Sequence, residues 1–590
     1  MKALLTLRPY FWKYRNQLLL GVLFVVTSNV FSLFPARLVR EGFDRVSESI
    51  EQVQVSEEGD PSNLQRTLII YGLLLFGSAL ARGLFMFFMR QTIIVVSRRI
   101  EFDLKNALFE HYQKLSLAFY KRNKTGDLMN RMSEDVSRVR MFLGPAVMYS
   151  INVVSQLVLI IGVMLSINVE LTLYALAPLP LLSVAIYKVS HYINVRSEKV
   201  QRKLSDISSF VQESFSGIRV LKAYGKEGDF SNEFAKECGD YKDENMNLVR
   251  VNALFMPLMT LLIGLSTIIT IYIGGRLAIQ GIITTGNIAE FVIYVGMLTW
   301  PVASLGWVTS IVQRAEASQE RINEFLHVVP EIQNLREEPS EIKGHVVFDK
   351  VNFTYPDSGI QAIKNLSFDL PAGKSLALIG KTGSGKSTVG YLISRLYSVS
   401  SGRITIDQTP IEHLNLDSLR SGIGYVPQEA FLFSDSIGAN IGFGVDQPDA
   451  EAIQLAAKNA DVHQNIMDFP KGYDTMVGER GVTLSGGQKQ RISIARAILK
   501  KPEILIFDDC LSAVDTQTEE EILNNLKDIM EHKTSIIISH RLSSVKHCDE
   551  ILVLEDGEVV ERGTHESLLQ RNGAYAELFE KQQLERHESA

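Results

Sequence analysis

The sequence predicts two fold classes in one chain, an all-α membrane domain of six helices followed by an α/β domain, and three observations carry that prediction. The first is length: 590 residues exceed one ordinary domain, so at least two folding units are expected. The second is a split in composition. Residues 1 to about 325 are dominated by long apolar runs, whereas the remainder alternates short apolar segments, glycine turns and charged helix faces. The third is an apolar strand at Ser375–Ile379 that runs straight into a glycine-rich loop opening a helix.

Six stretches are long enough to cross the hydrocarbon of a bilayer, which takes about 20 helical residues. They fall near 17–38, 67–95, 142–167, 170–190, 253–276 and 287–309. A single stretch has the alternative of a buried core helix, the second most of all because Arg82 and Arg90 interrupt it, but the six together do not. Lys2, Arg8, Lys13 and Arg15 precede the first run and no small-residue cleavage site follows it, so an uncleaved span is expected. Ten Lys and Arg in 98–140 and ten more in 191–250, against Arg45 alone among seven acidic residues in 41–65, put both termini on the cytoplasmic side. The expected location is a multi-pass protein of the bacterial inner (plasma) membrane.

The two inside connections are long and keep helical periodicity, as in Ile100, Leu104, Leu108, Tyr112 and Leu115. The spanning helices are therefore expected to continue into the cytoplasm and to turn near Tyr120–Gly126 and Ser208–Gly217, although solvated hairpins fit the same pattern. The outside links, apart from 41–65, are tight turns. Polar side chains within the spans are Asn29, Asn152, Gln156 and Glu290, with Tyr294 and Trp300 on the sixth. Such groups face a bundle interior or a cavity, where a bond between helices and a substrate contact are both open.

The net charge of -7, without a basic stripe, excludes nucleic acid as an expected partner. Three cysteines, Cys238, Cys510 and Cys548, without CxxC spacing argue against a disulfide framework or a zinc site.

A polar linker, 326–343, carries Pro330, Arg336, Glu337, Glu338 and Pro339, and separates a membrane domain at 1–325 from the α/β domain at 344–590. Strand-like runs follow at His345–Phe348 and Val351–Tyr355. The glycine-rich loop reads Gly380, Lys381, Thr382, Gly383, Ser384, Gly385, Lys386, Ser387, Thr388, and its helix is expected to end near Tyr397. This is a P-loop in its strand-loop-helix context. Its glycines let backbone N–H groups fold around phosphate oxygens, and the helix N-terminus adds partial positive charge. Lys386 is expected to reach the β and γ phosphates of ATP, and the Ser387 hydroxyl to hold Mg2+.

The buried-strand run Ile504–Phe507 ends in Asp508 and Asp509. A carboxylate there holds magnesium through water, the Walker B role, which is assigned to Asp508. Between the two motifs, Leu484-Ser485-Gly486-Gly487-Gln488 precedes a helix expected over Gln490–Leu499 and forms a second phosphate cradle. One nucleotide does not need two cradles from one chain. Ser485, Gly486, Gly487 and Gln488 are therefore assigned to a second subunit's ATP.

The order P-loop, Gln428, LSGGQ, Walker B, Ser512-Ala513-Val514-Asp515 and His540 resembles the ATP-binding cassette (ABC) family, and six spans ahead of the cassette resemble its multidrug and lipid exporters. The resemblance covers nearly the whole chain. It implies that Tyr355 stacks on adenine, that Gln428 senses the γ-phosphate and its metal and couples to the membrane half, and that His540 contacts the γ-phosphate. It implies also that Glu479-Arg480-Gly481 touches the tips of the membrane domain, that Asp515 lies at a dimer seam, and that two cassettes close head to tail. Taken alone, Tyr355 as a strand cap, Gln428 as a turn residue and His540 as a core histidine remain open.

One position departs from the family pattern: Asp509 stands where glutamate is the usual base that polarises the attacking water. Aspartate is one methylene shorter, and a misplacement of about 1 Å costs about a hundredfold in rate. By the resemblance, such a chain is the member of a heterodimer whose own ATP site is weakened, while a homodimer with two slowed sites stays open. The expected function is ATP-dependent export of a hydrophobic or amphipathic substrate, a drug, lipid or peptide, by alternating access, with hydrolysis by Asp509, His540 and Gln428. The alternatives are an ATP-binding regulatory half and an ATP-gated channel.

Overall fold

The computed structural model describes residues 2–55, 61–478, 484–510 and 516–589 and forms two compact units, Met1–Glu110 with Leu128–Val328, and His111–Asp127 with Val329–Ala590. The first unit is helical throughout its described residues. Six helices are long and apolar enough to cross a membrane: Arg15–Ser49, Gln65–Lys114, Thr125–Ile167, Val169–Ile186, Glu227–Ile279 and Thr285–Leu326. Each predicted stretch falls on one of them.

The helices run further than the apolar stretches do. The acidic link 41–65 is mostly helix, because the first helix continues to Val55 and the second starts at Pro61. Its charges pair along the helix, Arg37 with Glu41 and Arg45 with Glu48, so they support the helix rather than break it. The expected turn at Tyr120–Gly126 contains a short helix, Leu117–Arg122, with the break at Asn123 and Lys124. The second expected turn, Ser208–Gly217, lies too early. The helix Pro178–Ser216 runs through it, its Ser208 and Ser214 hydroxyls satisfied by the carbonyls of Leu204 and Phe210, and the chain turns only after Gly217. Two links are as tight as expected: Asn168 caps the Val169–Leu176 helix by accepting the Leu171 N–H at 2.8 Å, and Thr284 forms a capping box with Asn287.

Most of the polar groups in the spans bond helix to helix. The Asn29 amide donates to the Asn152 carbonyl at 3.3 Å and to Ser155 Oγ at 2.5 Å, and Gln156 donates to the Met297 carbonyl at 3.4 Å. Glu290, 1% exposed, accepts from Arg40 at 3.2 Å and from the Tyr294 hydroxyl at 2.8 Å. Trp300 is largely exposed.

The second unit holds two sheets. The strands are β1 (Val346–Thr354), β2 (Gln361–Leu370), β3 (Ser375–Gly380), β4 (Ser401–Ile406), β5 (Thr409–Pro410), β6 (Ile423–Val426), β7 (Ile504–Asp508), β8 (Thr534–Ile538), β9 (Glu550–Glu555) and β10 (Glu558–Gly563). An antiparallel sheet has the order β2-β1-β4-β5. The larger sheet has the order β10-β9-β3-β8-β7-β6, parallel except at β10. Every residue of β7 and β8 is buried, which is why these strands read as unbroken apolar runs rather than alternating ones. The two runs expected before and after Asp349 are one strand, β1, with a register shift at Lys350, whose φ is 47°. The P-loop helix ends at Ile393 rather than near Tyr397, and Arg395 then takes a left-handed φ of 47°.

Candidate functional site

Four neighbouring strands deliver the site. β3, β8, β7 and β6 are parallel and adjacent, so their carboxyl ends lie along one edge of the sheet, the place where open α/β sheets bind ligands. β3 ends in the P-loop, β8 leads to His540, β7 ends in Asp508, and β6 leads through Pro427 to Gln428. Residues far apart in sequence thus share one edge because the strand order places them there.

The P-loop is a backbone cradle. Gly380 has a φ of 146°, and a Cβ there would lie 2.1 Å from the Leu554 carbonyl oxygen. Gly385 has a φ of 93°, and a Cβ would meet the Ala362 oxygen at 2.2 Å. Only glycine fits either place. Thr382 and Gly383 are exposed at the lip, Ser384 is buried beneath it, and Lys381 pairs with Glu555 at 3.4 Å.

Lys386 is buried inside the cradle. Its ammonium donates to the carbonyls of Gly380 at 2.9 Å and Lys381 at 2.8 Å, and no carboxylate pairs with it among the described residues. Burial pushes its pKa down to about 8. A buried ammonium held only by neutral oxygens, in a glycine-rich loop at a helix N-terminus, fits a polyphosphate.

Opposite it, the Ser387 hydroxyl donates to Asp508 at 2.7 Å and the Tyr425 hydroxyl donates to the other Asp508 oxygen at 3.1 Å. Burial raises the Asp508 pKa, with a further push from the Asp509 charge, against the Ser387 and Tyr425 hydrogen bonds and the nearby Lys386 charge, which lower it. The Ser387 and Asp508 oxygens form the hard donor set that magnesium prefers. Gln428 donates to Asp509 at 3.4 Å.

Asp509 leaves the strand with a φ of 44°, its N–H bonded to the Ile538 carbonyl at 2.7 Å. His540 is half-buried beside the P-loop, hydrogen-bonded with the Gly380 backbone; burial, then the neighbouring Lys386 charge, lowers its pKa.

Tyr355 packs edge-on against Phe353 and Tyr397 and shares a hydrogen bond with Thr388 at 2.8 Å. Lys121 lies 5.2 Å above its ring, with Tyr391 and Tyr397 around the same ammonium. Ser485 and Gly486 are exposed. The LSGGQ helix begins at Gly486, four residues before Gln490, because Ser485 and Gln488 cap it reciprocally. No hydrogen bond joins Ser485, Gly486, Gly487 or Gln488 to the P-loop of the same chain among the described residues. Glu479-Arg480-Gly481 and Ser512-Ala513-Val514-Asp515 lie outside the described residues.

Sequence reasoning passed over Tyr425 and Lys121. A tyrosine inside a buried parallel strand must place its hydroxyl, and that was a readable signal for Tyr425. Lys121 carries none, since its aromatic partners lie in a distant part of the chain.

The chain matches the family model for the ABC transporter transmembrane region over residues 17–302 and the ABC transporter model over 363–512. It is 35% identical to the probable multidrug resistance ABC transporter ATP-binding/permease protein YheI of Bacillus subtilis, covering 98% of this chain and 97% of that one. It is 38% identical to the multidrug resistance-like ATP-binding protein MdlA of Escherichia coli, over 84% of each chain. To the ATP-dependent lipid A-core flippase of Syntrophus aciditrophicus the identity is 34%, over 85% of this chain and 84% of that one. A solved structure of a bacterial Atm1-family ABC exporter with ATP bound aligns with a TM-score of 0.78 and 28% identity, covering 96% and 98% of the two chains.

Proposed function

We propose, from the premise that this chain belongs to the ABC transporter family, a specific division of labour within an ATP-driven exporter. The chain is a multi-pass membrane protein whose ATPase is coupled to transport, and it works as a dimer in a lipid bilayer. The domains are 1–325, a linker at 326–343 and the cassette at 344–590, with cassette and both termini cytoplasmic at the bacterial inner membrane. Its cargo is a hydrophobic or amphipathic compound. ATP supplies the binding energy that favours one of two membrane states, and hydrolysis resets them.

The observation that carries the proposal is a pair of buried charges that attract one another across the sheet edge but are hydrogen-bonded only by neutral groups: among the described residues Lys386 has no anionic hydrogen-bond partner and Asp508 no cationic one. Mg-ATP supplies both. Lys386 holds the phosphates, the N–H groups of Gly380–Thr388 wrap them, Ser387 and Asp508 hold magnesium, and Tyr355 turns its ring to adenine. Gln428 and Asp509 orient the attacking water, and His540 contacts the γ-phosphate. Ser485–Gln488 serve the partner's nucleotide.

The partner is a second half-transporter of different sequence, which supplies the glutamate that this chain replaces with Asp509. A regulatory half is the second reading, favoured by the same residue. ATP-driven uptake of a hydrophobic dye into inverted vesicles tests the function: it should be lost in Lys386→Ala, and unchanged uptake would overturn the assignment. Ordinary ATPase rates from the chain purified alone, stimulated by transported compounds, would overturn the heterodimer.

A further inference from the structure

Strand β8 ends at Ile538, and the residues that follow, Ser539–Arg541, lie outside any strand or helix, so their backbone groups must find partners elsewhere. His540 stands in this segment with its side chain hydrogen-bonded with the Gly380 backbone of the P-loop. Its main chain is held by a different element. The Gln582 amide donates to the His540 carbonyl at 2.5 Å, and the Gln582 amide oxygen accepts the Leu542 N–H at 3.0 Å. One side chain, 42 and 40 residues away in sequence, thus grips the backbone on both sides of Arg541. A carboxamide suits the task because it offers a donor and an acceptor together, whereas a carboxylate lacks the donor.

Gln582 lies on the helix Ala574–Ser589. Tyr575, Leu578, Phe579 and Gln582 recur at i, i+3, i+4 and i+7, so they share one face. Tyr575 is fully buried and shares a hydrogen bond with His565 at 2.6 Å, Phe579 meets the His565 ring edge-on at 5.5 Å, and Leu578 and Phe579 pack on the core of the α/β unit. The Glu561 carboxylate accepts the N–H groups of Ala574 and Tyr575 at 2.8 and 3.0 Å and fixes the start of the helix. An amide at the next position of this packed face is out of pattern, and its two bonds to the histidine segment account for it. The neighbouring side chains are tied separately: Glu519, 1% exposed, accepts from Arg541, Ser543 and Ser544.

We infer that Gln582 is a positioning residue for His540: it fixes the backbone that aims the imidazole at the γ-phosphate, and so sets how strongly this chain prefers ATP to ADP. The inference rests on the γ-phosphate contact proposed above for His540. A working side chain must be held within about 0.5 Å of its productive place, which a segment outside regular structure does not achieve unaided. ADP has no γ-phosphate, so its binding does not draw on that contact. The P-loop, His540 and Gln582 belong to one chain, so the preference is measurable without a partner.

The test uses the full-length chain in nanodiscs with magnesium present, and calorimetry reads the affinities for the nonhydrolysable ATP analogue AMP-PNP and for ADP. His540→Ala should lower the preference for AMP-PNP over ADP by about five- to tenfold, the loss of one hydrogen bond to the γ-phosphate. Gln582→Met keeps the length of the side chain and removes both of its bonds; it should lower the preference by at least about threefold, through AMP-PNP alone, with ADP affinity unchanged. In the double variant the preference should be no lower than in His540→Ala, because Gln582 acts through His540. Tyr575→Phe removes a bond nearer the start of the same helix and should leave the preference as it was.

An intact preference in Gln582→Met, or losses that add in the double variant, would overturn the inference. An equal loss in Tyr575→Phe would overturn it too, by making the whole helix a general support. An intact preference in His540→Ala would instead sink the γ-phosphate reading of His540 on which the inference stands, so the two failures are told apart.

Discussion

Glu290 and Asp508 are both buried carboxylates, at 1% exposure each, and the two units treat them in opposite ways. In the membrane unit Glu290 has a fixed guanidinium, Arg40, and a fixed hydroxyl, Tyr294. In the cassette unit Asp508 has only hydroxyls, from Ser387 and Tyr425, while the nearby ammonium of Lys386 is spent on carbonyls. A charge whose counterion is built into the chain serves the fold. A charge whose counterion is missing waits for a ligand, and that difference separates the two kinds of polar group better than burial does.

The largest effect that would sharpen the contrast is at the open pair. Asp508→Ala should lower magnesium-dependent ATP turnover by at least about a hundredfold while costing little in thermal unfolding, because the nearby Lys386 ammonium keeps its carbonyl hydrogen bonds and the Asp509 charge when the carboxylate is removed. A large fall in stability would place Asp508 with Glu290 instead. The closed pair should behave in reverse: Arg40→Met strands the Glu290 carboxylate and should cost about 3 kcal/mol in thermal unfolding, with ATP affinity of the surviving folded protein unchanged.

A smaller effect follows from pH. Burial holds the Lys386 pKa at about 8 without ligand, so its ammonium is fully present below that pH and is lost above it. ATP phosphates favour the charged form. ATP affinity measured by calorimetry should therefore be flat below pH 8 and fall by up to about tenfold per unit above it, with proton uptake on binding. Lys386→Arg should flatten the profile. The smallest effect belongs to Tyr355→Phe, which loses the Thr388 hydrogen bond but keeps the ring and should change ATP affinity by less than about tenfold.

The same contrast explains what is legible in the sequence. Motifs that act through backbone conformation are local, so the spacing of Gly380 and Gly385 is enough to announce the P-loop, and an apolar run ending in acid announces Asp508. The six spans are legible because a bilayer demands length. Pairings between distant side chains are not local. Nothing around Arg40 names Glu290, and nothing around Lys121 names Tyr355. Local bonds also mislead in small ways: serines at 208 and 214 suggest a turn, yet their hydroxyls fold back onto the helix that contains them.

Asp509 is the residue proposed to weaken the open site, and Asp509→Glu tests that most directly. Single-turnover hydrolysis of ATP at this chain's own P-loop, in the assembled dimer, should accelerate by about ten- to a hundredfold as the carboxylate gains one methylene of reach toward the water. An unchanged or slower rate would contradict the assignment of Asp509 as a shortened base.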